Sequence, residues 1–88
     1  EKIRDLFNES FEKIKTEKIS DKKQLIELIF INPYCRIEHF TNQNLGTPKT
    51  AKKHLDLLVG KGILKSEKRG RSVIYINHKL YNLISEMD

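Results

Sequence analysis

The chain has 88 residues, seventeen Lys and Arg against twelve Asp and Glu, a formal net charge of +5 and a sequence pI near 9.4. That length holds one domain with a modest core and excludes a core plus a roomy catalytic cleft, while a basic balance points to nucleic acid, an acidic surface or an acidic partner protein. Nothing resembles a signal peptide or a membrane span, the longest apolar run being Leu28 to Ile31, and the single cysteine, Cys35, excludes an internal disulfide and fits a cytoplasmic protein.

Glu1 stands where a methionine would open a complete protein, which reads as a fragment of something longer. Ile3, Leu6, Phe7, Phe11 and Ile14 fall on one face of a first helix whose other positions are charged. This stripe has no evident partner and is a candidate protein interface, within a longer chain or between two copies. Ser20 is a good N-cap and Asp21 suits a first turn. Leu25, Ile26, Leu28, Ile29 and Phe30 then make a helix apolar enough to be central, stopped by Asn32-Pro33. Tyr34, Ile37 and Phe40 have helical spacing, and "TNQNLG" reads as a turn.

A fourth helix has clear start signals: Thr47 to cap it, Pro48 at the first helical position, and Ala51, Leu55 and Leu58 as the inward stripe, with Gly60 and Gly62 ending it. After Gly62 the period changes. Ile63 to Glu67 and Ser72 to Ile76 read as two strands joined by "KRGR", with Gly70 as the tight-turn residue. Asn77 then caps a closing helix carrying Leu80, Tyr81, Leu83 and Ile84. There is no internal repeat and no low-complexity stretch.

The expected fold is mainly helical with a small β-hairpin, of the α+β class: a winged helix-turn-helix over residues 19–88, preceded by a connecting or dimerising helix over 1–18. Charge is distributed to match. Residues 1–18 hold five basic and five acidic side chains, whereas Lys49 to Arg71 hold eight basic against Asp56 and Glu67. With Ala51, Leu55 and Leu58 inward, Thr47, Lys49, Thr50, Lys52, Lys53 and His54 lie toward the outer and flanking faces of the helix that would enter a major groove. Lys68, Arg69 and Arg71 would form the wing beside it. Lysine, a point charge on a flexible stem, suits phosphate contacts; the planar forks of Arg69 and Arg71 grip phosphates or enter a minor groove.

Plainer readings stand beside these. Any solvated helix face carries lysines, Gly70 serves turn geometry, Thr50 packs near the turn and His54 is a helix-surface residue. Cys35 and His39 are four apart, a spacing two metal ligands use on a helix, but no second pair follows, and Cys35 reads as a small apolar residue. No Gly-rich phosphate loop and no paired carboxylates occur, so no active site, metal or cofactor is expected.

The runs "FINPYCRIEHF", "TPKTAKKHLDLLVGKGIL" and "KRGRSVIYINHKLYNLI" resemble the winged-helix domain at the C-terminus of many Fic-family proteins. The resemblance covers about Ser20 to Ile84, and residues 1–18 would correspond to the helix that joins the tail to the catalytic domain. It implies a noncatalytic appendage of an enzyme that moves AMP from ATP onto protein hydroxyls. The family's catalytic signature, HPFxxGNGR, is absent from these 88 residues, so no catalytic residue carries over. The pattern from Thr50-Ala51 to Gly62-Ile63-Leu64 is shared with MarR-like repressors. Pro48 departs from it, leaving one fewer backbone donor for a phosphate at that helix end.

Two functions follow. In one, the domain binds double-stranded DNA through the helix over 47–60 and the wing over 65–72, as an expected dimer because a lone module of this size grips weakly. In the other, it is an interaction, dimerisation or regulatory module of the upstream Fic catalytic domain, with a homodimer built through residues 1–18. The first needs the basic face free; the second expects it neutralised by acidic residues or covered by a partner.

Overall fold

A computed structural model describes residues 2–19 and 21–86. Five helices, α1 (Lys2–Ile14), α2 (Lys22–Ile31), α3 (Ile37–Thr41), α4 (Pro48–Gly60) and α5 (His78–Glu86), surround a three-stranded antiparallel sheet of β1 (Tyr34–Cys35), β2 (Lys65–Arg69) and β3 (Ser72–Ile76). The α+β expectation holds, with one strand more than expected.

Each helix buries the stripe its sequence spacing provides. Leu25, Ile26 and Ile29 of α2 meet Ala51, Leu55 and Leu58 of α4, with Phe40, Ile63, Leu64 and Tyr75 closing the core around them. At about 1.5–3 kcal/mol for each large apolar side chain, this cluster is the main favourable contribution to folding. The stripe of α1 is not unpartnered: Ile14 is fully buried in the same core, Leu6 is buried, Phe7 meets the Phe30 ring edge-on at 5.2 Å, and Phe11 packs half-buried against the cluster. Ile3 is half-buried. Glu9 of α1 reaches Lys79 of α5 at 3.8 Å as well as Lys13 at 3.6 Å, an exposed bridge of small energetic weight.

Ser20, expected as a cap, lies outside the described residues. The first turn of α2 starts one residue later than expected, with Asp21 at the N-cap in a left-handed conformation (φ 57) and its side chain capping nothing. Tyr34 is in β1, not in a helix with Ile37 and Phe40. Pro33 holds Asn32 in extended backbone, which ends α2, and Tyr34 and Cys35 then pair with Ile76 and Tyr75 of β3. Cys35 packs as a small buried residue, its thiol donating to the Asn32 carbonyl at 2.7 Å.

The end of α4 is closed by Gly62 at φ +78: its N–H donates to the Val59 carbonyl and that of Ile63 to the Leu58 carbonyl, both at 3.0 Å. This paired closure with a left-handed glycine turns the chain so that Ile63 and Leu64 plug the core before β2 begins at Lys65, two residues later than the strand expected from the sequence. Arg69 pairs with Ser72, which shortens the hairpin turn to Gly70-Arg71, with positive φ at Gly70 alone, the requirement of a type II′ turn. Asn77 caps α5 as its position suggests, its Oδ1 accepting the Leu80 N–H at 3.3 Å. No helix among the described residues is long and apolar enough to cross a membrane.

Candidate nucleic-acid interface

Helix α4 starts where Thr47 accepts the Thr50 N–H at 3.3 Å, while the two hydroxyls share a 3.1 Å hydrogen bond. Both threonines are exposed but engaged with each other, so their part in the site is to fix the first turn. From that start, Lys49, Lys52, Lys53 and Asp56 stand at i, i+3, i+4 and i+7, forming one outward stripe opposite Ala51, Leu55 and Leu58. With Thr50 they line a shallow cleft along the helix.

The hairpin contributes through its tip. Pairing of Ser66 with Tyr75 and Lys68 with Val73 puts these four side chains on the sheet face toward α4, the side on which the Tyr75 hydroxyl reaches Asp56 at 3.0 Å. A second cleft, of about 450 Å³, is lined by Lys52 of α4, by Arg71, Ser72 and Val73 of the hairpin, and by Arg36, Glu38 and Thr41 at α3. Here cations of two separate elements converge, Lys52 and Arg71 bordering one concavity. A third joins them: Arg36, the N-cap residue of α3. Sequence reasoning missed it because Arg36 stands twelve residues before Pro48 and only the turn between α3 and α4 folds it back. No local signal announces that.

Not every expected residue joins the site. Lys65, Glu67 and Arg69 share the opposite sheet face with Tyr34, Ile74 and Ile76, and Arg69 is held by Glu67 at 3.0 Å. Arg71, in the hairpin turn, borders the cleft with Lys52, and Arg69 does not. His54, half-buried, lines a different cleft with Thr16, Glu17, Lys18 and Ile19. Burial, reinforced by neighbouring Lys53, pushes its imidazole below the usual histidine range, so it adds no charge at neutral pH.

Charge on the remaining face is uneven. Arg36, Lys49, Lys53, Lys68 and Arg71 take no part in an ion pair among the described residues. Lys52 does: its Nζ lies 2.7 Å from Asp56 Oδ2. That ammonium, together with the Tyr75 hydroxyl, holds the Asp56 carboxyl below the usual carboxylate range despite some desolvation. Among the described residues no cluster of three metal-ligating side chains occurs. Burial raises the Cys35 thiol to about 12, which leaves it protonated and unreactive at neutral pH. The arrangement is thus a positive, mostly open surface able to hold a polyanion.

A family model described as the C-terminal domain of SoFic-like protein adenylyltransferases matches residues 3–80.

Proposed function

The chain belongs to that family, the C-terminal domain of SoFic-like protein adenylyltransferases of the Fic group, and from this premise we propose that it is a noncatalytic winged helix-turn-helix module that binds double-stranded DNA. In this reading α4 is the recognition helix and the hairpin of β2 and β3 is the wing. The observation that carries it is the cleft beside α4 on which Arg71 of the hairpin and Arg36 at the start of α3 converge, flanked along α4 by the open cations Lys49 and Lys53. Phosphates tracking past the N-terminal half of α4 would meet Lys49 and Lys53 first, then Arg71 and Arg36 across the groove edge, with Lys68 farther along the wing. The site belongs to a cytoplasmic protein in which an upstream Fic catalytic domain transfers AMP. The stripe Ile3, Leu6, Phe7, Phe11 and Ile14 is spent largely on α2 and the core, so this reading needs no homodimer through residues 1–18.

A second reading, an interaction or regulatory module that holds the Fic catalytic domain or recruits its target, is favoured by the ion pair Lys52–Asp56, which neutralises part of the basic face. The two readings differ in salt response. Five phosphate contacts give a slope of log affinity against log salt of about −4.5 on a generic duplex, measured by fluorescence anisotropy between about 50 and 200 mM salt. Lys49→Glu with Lys53→Glu is expected to abolish duplex binding and leave the thermal melt intact. No duplex binding by the native chain at low salt would remove the DNA reading and leave the interaction reading.

A further inference from the structure

We propose that Asp56 is a built-in competitor for Lys52, a specificity residue that withholds this lysine from DNA phosphates and ends the phosphate track halfway along α4. The inference rests on the DNA-binding reading and deepens it. An exposed Lys–Asp pair four residues apart on a helix is ordinarily weak and exchanges with water and salt. This one has a third partner. Asp56 Oδ2 accepts from Lys52 at 2.7 Å while Oδ1 accepts the hydroxyl of Tyr75 at 3.0 Å, and Tyr75 is only 1% exposed, anchored in β3 and packed in the core. The carboxylate is therefore oriented from beneath and cannot swing aside as a surface aspartate otherwise would.

Two consequences follow from this placement. Asp56 lies four residues beyond Lys52, about 6 Å along the helix axis, so the ion pair draws the ammonium toward the C-terminal half of α4. The phosphate-facing cations, Lys49 and Arg71, lie at the other end. Asp56 also borders two clefts, one along the stripe with Lys49 and Lys53 and one beside it with Lys53 and His54. A phosphate moving past Lys53 meets a fixed negative charge. The DNA footprint is thereby confined to the first half of α4, the wing tip and the start of α3.

Asp56→Asn separates charge from shape, since the amide keeps an acceptor for Tyr75 and loses the negative charge. Titration of native chain, Asp56→Asn, Lys52→Met and the double variant against the same duplex is the test, with circular-dichroism melts alongside. Expected are an affinity gain of about tenfold at about 50 mM salt for Asp56→Asn and a slope steeper by about 0.9, one further phosphate contact. Lys52→Met should cancel both gains in the double variant. Native binding with an unaltered or weakened Asp56→Asn would overturn the inference and leave the DNA reading standing. Absence of binding by the native chain and by Asp56→Asn alike would overturn both.

Discussion

Replacing Asn77 with alanine tests how α2, the sheet and α5 are held in register. Asn77 is 1% exposed and serves three elements at once. Its backbone N–H donates to the Pro33 carbonyl at 2.8 Å, its Nδ2 donates to the Ile29 carbonyl of α2 at 3.2 Å, and its Oδ1 caps α5 through the Leu80 N–H. Alanine retains the first bond and deletes the other two. Each deleted bond is worth about 1 kcal/mol, and leaving the Ile29 carbonyl and Leu80 N–H unpaired in a dry interior adds a comparable penalty, so about 3 kcal/mol is lost. A domain of this size drops about 4–8 °C in Tm per kcal/mol, which places the melt roughly 12–24 °C lower. Thermal circular dichroism with a parallel urea titration reads this directly. Asn77→Ser, which keeps a capping oxygen and loses the donor to Ile29, is expected to recover about 1 kcal/mol. A melt of Asn77→Ala within about 3 °C of the native chain would refute the reasoning, because two buried hydrogen bonds could not then be made.

The two glycines at the end of α4 should respond in opposite directions. Gly60 is helical with no atom near its missing Cβ, so Gly60→Ala should stabilise by about 0.5–1 kcal/mol, whereas Gly62 at φ +78 makes Gly62→Ala costly by about 1 kcal/mol from backbone strain alone. Urea midpoints shifting in the same direction would contradict this. At alkaline pH, burial and the hydrogen bond to Asp56 raise the Tyr75 hydroxyl to about 12. Its folded pKa exceeds the unfolded value near 10, so its stabilisation is complete below about pH 10 and is lost as pH rises through about 12. Cys35, raised to about 12 by burial, adds a loss of the same sign starting near pH 9. The urea midpoint should therefore fall between about pH 9 and pH 11.5, and fall less in Tyr75→Phe; equal falls in both would show that Tyr75 does not carry the effect.

The sequence discloses whatever depends on local period and on end signals. Thr47-Pro48, the Gly60 and Gly62 pair, Gly70 and Asn77 mark element boundaries through backbone chemistry that needs no tertiary knowledge, and each of them sits where that chemistry places it. Two-residue β1 has no period to detect, and its pairing partner lies some forty residues away, so Tyr34 and Cys35 pass for helix. The same limit applies to α1. Its stripe is legible, but that Phe7 finds Phe30 and Ile14 reaches the core depends on how α1 and α2 are set against each other, which no motif encodes. In the candidate site the lysines of α4 are legible from helical spacing. The entry of Arg36, the absence of Arg69 from the cleft that Arg71 borders, and the grip of a core tyrosine on Asp56 are products of tertiary packing.

Strand β2 lies at the margin of the sheet, hydrogen-bonded on one side only, and all five of its residues, Lys65 to Arg69, are exposed. An open flank of unpaired amides and carbonyls invites intermolecular strand addition, and three cations against one glutamate among its five residues discourage it, because two such flanks repel on approach. Lys68, the cation of this strand on the α4 face, thus also acts as a guard against self-association. Substituting Lys68 and Arg69 with apolar residues would remove that guard along with any contact Lys68 makes, and turbidity would then masquerade as lost affinity.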